Sequence, residues 1–477
     1  LILLPSVSCA LRGGKGMVVA SDGSTEDPLK TRNIIDKIPC PGPFFSRSSP
    51  EIADCDDEKK QFVLQSVEGY YCCTLLHKLQ DWEKIQTSIS GDAEDDRLGL
   101  GTENGAGISM SADGTRLAVG IRYNDNERGK NAGTVRVYED TPFGWEALGQ
   151  SINGHTDGEL FGWATAISHN GRVVAVSSVR AHGSKGTYQG VVRVYNYDED
   201  SFPAMWRQFG GELHGDDTLD YFGHALSLCS EGNVVAVGAV QHFGIDEKKW
   251  TGYVKVFGWN GSRWNQMGEK ISGVSDGEKF GSSVSLSASG KVMAMGAAGD
   301  TGTVMVVRYV EGNWLELGQQ LVGMDDQEHF GYSISMSSNG KTLAVGAPHA
   351  GENAGAVRLY HLRADEWFQV GEDIVGELED GEFGHSVSLS GDGGIVTIGS
   401  THAHGPKQSF EGEVRTYKFQ NERWELLGKP ISGTQASENF GCAVSLSKDG
   451  QRLAASAPYA NSDRGKRSGE VRIYGLQ

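Results

Sequence analysis

Histidines, carboxylates and cysteines carry most of the chemistry this sequence could perform. His402 and His404 form an H-x-H pair, and His182, His242 and His349 recur in corresponding loops further upstream. Imidazoles in such number can ligate a transition metal. They stand on separate loops, however, and the reading taken is of exposed loop histidines. Runs of carboxylates occur as "GDAEDD" at 91, "GDDTLD" at 215 and "GELEDGE" at 376. A hard cation takes six to eight oxygens, yet runs of this kind ordinarily form solvated faces. No G-x-S-x-G elbow or phosphate-cradling glycine loop stands between a strand and a helix. The sequence therefore assigns no catalytic residue, metal or cofactor.

The cysteines point to a compartment. Cys40, Cys55, Cys72 and Cys73 cluster near the N-terminus. Adjacent cysteines rarely close on each other, so Cys72 and Cys73 are expected to pair with Cys40 and Cys55, in one of two connectivities, in an oxidising environment. Cys229 and Cys442 fall inside strand patterns and read as inert buried thiols. Residues 1–10, "LILLPSVSCA", read as the tail of a secretory signal. Residues 11–81 read as a Cys-containing linker or small disulfide module. Asn260-Gly261-Ser262 is a glycosylation sequon, consistent with secretion.

Composition bounds the class of partner. A net charge of −19 lacks the basic footprint that nucleic acid requires. No stretch approaches the roughly 18 consecutive apolar residues of a membrane-spanning helix. At 477 residues the chain exceeds what one core usually serves, so its apolar surface must be divided among several units.

Repetition supplies those units. From residue 82 to 477 the chain is an array whose units begin near Trp82, Trp145, Trp206, Trp264, Trp314, Trp367 and Trp424. After each tryptophan come an I-x-G-like segment, an acidic loop and an FG pair. The pairs begin at Phe161, Phe222, Phe280, Phe330, Phe383 and Phe440, and the first unit offers Asn104-Gly105 in that place. Segments such as "SVSLS" alternate with period two, the mark of a strand with one apolar face. Asp-Gly or Asn-Gly then gives a tight hairpin, followed by strands such as "LAVGAP" and "VRVY". Four antiparallel strands repeated seven times describe an all-β, seven-bladed β-propeller. The FG phenylalanine is expected as a wedge between blades, and its glycine to allow close backbone approach near the axis. Because the array starts on a tryptophan strand and ends on a third-type strand, residues 82–91 are expected to complete the last blade and remove its open edge.

The order "FG…SVSLS…DG…VAVGAP…G-x-V-R-V-Y" resembles the FG-GAP repeats of the integrin α-subunit propeller, with Gly346-Ala347-Pro348 preserving GAP itself. The D-x-D-x-D-G calcium loop that such repeats often carry is reduced here to turns such as "SADGTR" at 111. The resemblance implies an extracellular or cell-surface adhesion module, a monomeric propeller binding a protein or carbohydrate partner. Two other classes stand beside it: a secreted glycan-active enzyme, which needs paired carboxylates, and an intracellular interaction scaffold. Tyr188, Trp250, His402, His404 and Phe410, on the long second-to-third loops, are the candidate ligand-binding residues, since rings with a polar tip suit recognition surfaces.

Overall fold

Alternation and tight turns do build the expected blades. The structure, a computed structural model, describes residues 80–101, 107–241, 250–404 and 409–477, together with the backbone of four earlier strands. The chain divides into two units, Leu1–Gln80 and Asp81–Gln477. In the first, the strands Met17–Val19, Ser8–Arg12, Gly69–Thr74 and Gln61–Ser66 form one antiparallel sheet in that order. Cys40 and Cys55, and the side chains of Cys72 and Cys73, lie outside the described residues, as do Asn104, Gly105 and His242.

The second unit is a seven-bladed β-propeller with four antiparallel strands per blade. Blade 1 comprises Ile108–Met110, Arg116–Ile121, Thr134–Thr141 and an outer strand in two pieces, Gly144–Ala147 and Ile152–Asn153. The tryptophan and the I-x-G segment of each repeat are those two pieces, both paired to the third strand. Blade 7 is closed by the start of the array: Trp82–Lys84 and Ile89–Ser90 pair with Glu470–Leu476.

Several devices join neighbouring blades. Phe161, Phe222, Phe280, Phe330, Phe383 and Phe440 are all buried. Phe161, for example, is wedged between Val135 and Val137 of blade 1 and Tyr195 of blade 2. The glycine after it serves contact between blades: a Cβ on Gly346 of blade 5 would lie 2.2 Å from the Gly384 carbonyl of blade 6. The GAP glycine and the FG glycine are thus two halves of one backbone-to-backbone approach. The first unit's counterpart is Leu98-Gly99, not Asn104-Gly105. Leu98 is fully buried, and the Gly99 N–H donates to the Gly120 carbonyl, as the Gly331 N–H does to Gly346.

At the rim, six of the seven indole Nε1 groups donate to the carbonyl just after the preceding blade's tryptophan strand, for example Trp206 to Leu148 at 2.8 Å, Trp367 to Leu317 at 2.8 Å and Trp82 to Leu427 at 3.2 Å. Trp145 differs, its Nε1 having no partner among the described residues. Around the axis, the serines of the inner strands are not a solvated face. Ser109, Ser227, Ser285, Ser335, Ser388 and Ser445 each accept the backbone N–H of the next blade's inner strand, at 2.9 to 3.1 Å. Below them seven backbone hydrogen bonds close a ring through Ala112, His169, Ser230, Ala288, Ser338, Gly391 and Lys448, each N–H donating to the next carbonyl.

The acidic loops need correction. They do not simply face water, because in five of the seven units the acid two residues before the wedge is turned inward. Asp96, Asp220, Glu159, Glu328 and Glu438 are buried. Asp96 accepts the Asp92 and Ala93 N–H groups, and Asp220 those of Asp216 and Asp217. Glu159, Glu328 and Glu438 also meet Arg193, Arg358 and Arg472 of the third strands, at 3.0, 2.8 and 2.7 Å. The turns that replace calcium loops are likewise self-satisfied: the Asp113 carboxylate accepts from Ser111 Oγ and the Thr115 N–H. Removing one member of a buried ion pair leaves the other uncompensated.

Trp82 is the test of closure. Trp82→Ala should cost about 3–5 kcal/mol in chemical denaturation, the range for truncating a buried aromatic. Trp145→Ala should cost clearly less, since its ring is only partly buried and its indole N–H is unpaired. Equal losses would contradict the special role of the closing strand.

Candidate functional site

Tyr188, Trp250 and Phe410 occupy one position of the repeat, two residues before the glycine that opens the third strand. Asn131, Asp300, Asn353 and Arg467 are its other occupants. The backbone there is left-handed at Asn131, Tyr188, Asn353, Phe410 and Arg467, with φ of 50, 51, 60, 54 and 51°. Asparagine tolerates that conformation, whereas a bulky ring in it is strained, by roughly 1–3 kcal/mol.

The structure brings three of the five candidates together. The Phe410 ring is 42% exposed, with His404 at 4.4 Å and His402 at 5.9 Å between centroids. Tyr188 lies on blade 2, packed against His182 and Tyr221 with the Arg180 guanidinium over its face. Trp250, on blade 3, is 37% exposed. Asn260 is exposed on the third-to-fourth turn of blade 3, at the opposite face.

Beside Phe410 a cleft of about 540 Å³ opens between the loops of blades 5 to 7. Asn353 and Asp380 form one wall, joined by an Asn353 Nδ2 to Asp380 Oδ1 hydrogen bond of 3.0 Å. Ser437 and Asn439 form another, and His349, Glu382 and His402 the floor. His349 and Glu382 also line a second cavity, of about 330 Å³, reaching His224, Lys279, His329 and Tyr332 on blades 3 to 5.

Glu382 sits between the two cavities because of a one-residue shift in the repeat. In the sixth unit Gly381 holds the position of the inward acid, and the carboxylate comes immediately before Phe383. It accepts from Thr401 Oγ1 at 2.7 Å and faces His402 Nδ1 at 3.0 Å and His385 Nδ1 at 3.4 Å. Burial would raise its pKa, but the hydrogen bonds from His385 and His402 and the charge of His385 outweigh that and hold it well below the usual carboxylate range. Burial likewise opposes charge on His385, but hydrogen bonds to Cys442 and Glu382 prevail and raise its pKa to about 9. Cys442 is a free, buried thiol, yet one with an imidazolium neighbour.

Sequence reasoning missed this centre. His385 and Cys442 belong to the column immediately after FG, which also holds Trp163, His224, Ser282 and Tyr332. Ring contacts join its members, Trp163 to His224 at 6.0 Å and Tyr332 to His385 at 5.3 Å. The available signal was variation: this column changes from unit to unit while the glycine before it stays constant. Among the described residues no group of three or more His, Cys, Asp or Glu side chains is placed to hold a metal ion. No helix among them is long and apolar enough to cross a membrane.

No family model matches the chain, and no curated protein is similar to it in sequence. Among solved structures it is similar to a Bacteroides uniformis protein described as a putative 6-phosphogluconolactonase, with 12% identity, a TM-score of 0.48, and coverage of 69% of this chain and 86% of that one.

The His385 pairing gives a sign-definite pH test. Its pKa of about 9 exceeds the ordinary imidazole value of 6.5. The stabilisation it contributes is therefore fully present below pH 6.5 and is lost as pH rises through about 9. NMR titration should find His385 protonated at pH 8, and Glu382→Gln should return its midpoint toward the ordinary imidazole value. A His385 midpoint near 6.5 in the unaltered protein would contradict the assignment.

Proposed function

We propose that this chain is a recognition propeller that binds a glycan in the cleft over blades 5 to 7. The observation that carries the reading is Phe410, an exposed ring on a left-handed backbone where two sister repeats carry asparagine. Strain held at an exposed loop residue is an argument for function when folding gains nothing from it. A flat apolar ring flanked by two carboxamides, two carboxylates and the Ser437 hydroxyl suits a sugar, which offers an apolar face and a rim of hydroxyl groups. The FG-GAP resemblance and the exposed sequon at Asn260 support an extracellular setting. A chain attached at Asn260 would leave the loop face clear.

Binding is favoured over glycoside hydrolysis on the state of Glu382. A glycosidase needs one carboxyl group raised in pKa to act as acid. The cleft holds Asp380 and Glu382, and the pairing of Glu382 with two imidazoles pushes it the other way.

The test is a glycan array probed with the purified chain and two variants. Phe410→Ala should lose capture. Phe410→Asn should lose it too while stabilising the fold by roughly 1 kcal/mol, since asparagine relieves the left-handed strain. Undiminished capture by both variants would move the site elsewhere, and capture of a surface protein with no glycan bound would overturn the ligand class.

A further inference from the structure

The axis of the propeller presents a different chemistry from the loop face. A channel of about 200 Å³ runs along it, walled by the inner strands. Six of the seven blades place a serine in its lining, Ala166 being the exception. Each serine Oγ already accepts an N–H from the next blade, so one of its acceptor sites is used. Its hydroxyl hydrogen has no acceptor among the described residues. A hydroxyl in that position is a donor awaiting a partner.

At the turn end the channel meets the closed ring of backbone hydrogen bonds, and Lys448 and His169 line it there. Lys448 forms no ion pair among the described residues, and no carboxylate is among the lining residues. Burial pushes the Lys448 ammonium down from its ordinary range. Burial, and then the charge of Lys448, push His169 to about 4. His169 Nδ1 lies 2.8 Å from Ser230 Oγ, so the imidazole is held within the ring and stays neutral. The groups left unmet are thus hydroxyl donors and one partly desolvated cation, with nothing negative facing them. A desolvated charge without a counterion is costly, and a concavity of donors is what an anion requires.

We propose that the axial channel binds a small inorganic anion, a halide or tetrahedral oxyanion, against Lys448 and the serine hydroxyls. The cavity has room for such an ion and several waters, a water's share of liquid being about 30 Å³. The site does not depend on the glycan reading, because it uses none of the cleft residues.

Binding to the folded state alone raises thermal stability in proportion to occupancy. The experiment compares melting temperatures of the full chain at fixed ionic strength in sodium gluconate, sodium bromide and sodium phosphate. Bromide or phosphate should raise the melting temperature of the unaltered protein relative to gluconate, and the arm that does so identifies halide or oxyanion. Lys448→Met should lose that increment while melting no lower in gluconate, since it removes an unpaired, partly desolvated charge. Lys448→Arg should restore it. Crystals grown in bromide should show an anomalous peak beside Lys448 Nζ. An equal increment in Lys448→Met, or an empty channel in the bromide crystals, would overturn the proposal.

Discussion

Everything in this propeller depends on how closely the backbones of neighbouring blades approach. The glycine after the wedge is present in all seven units, as Gly99, Gly162, Gly223, Gly281, Gly331, Gly384 and Gly441. Facing it across the interface is a second-strand glycine in five units, and Ser177 or Ser456 in the other two, where the entering glycine meets the serine Cβ. With side chains removed from the contact, a blade seats its wedge phenylalanine in the pocket between two sheets, and the buried acid and arginine fix the incoming loop. The same approach sets the distance at which one inner strand can donate its N–H to the previous blade's serine. Core packing, polar satisfaction and axial closure are thus consequences of one steric allowance repeated around a circle. Because each interface is equivalent, a circle of seven closes only if the last meets the first on the same terms. Gly99 against Ser456 and Trp82 against Leu427 meet that condition.

Legibility of the fold follows from whether a signal is local. Alternation, Asn-Gly and Asp-Gly turns and the tryptophan period are local, so strand order, blade number and the completion of blade 7 could be read directly. Leu98-Gly99 was overlooked because the aromatic ring was matched rather than the spacing of the buried acid. Asp96 stands two residues before Leu98, as Glu159 stands two before Phe161. The acids themselves read as solvated because what makes them interior is an arginine more than thirty residues away, as Arg193 is from Glu159. Serine in an alternating strand reads as a water-facing position, and only the neighbouring blade reveals its acceptor role. For the site, the long loops pointed to Phe410, His402 and His404. The shifted Glu382 and the column after FG carry no local pattern that marks them as a centre.

The cavities lie where the repeat is irregular, and the irregularities reinforce one another. Blade 4 has the short second-to-third connection, Gly299 to Gly302, where blade 2 has eleven residues from Arg180 to Gly190. It also replaces the third-strand cation by Met305, and its acid, Glu278, is not buried with an arginine. With that loop short and that anchor missing, the wall over blade 4 is low, and the 330 Å³ cavity opens there between His224 and His349. Blade 6 supplies the charge by moving its acid one residue toward the wedge Phe383. A low wall on one blade and a displaced carboxylate two blades on give two cavities that share His349 and Glu382, and neither change removes the wedge or glycine contacts that hold the circle together. Function can therefore be written into loops and into the one variable column after FG, while the constant columns continue to specify closure.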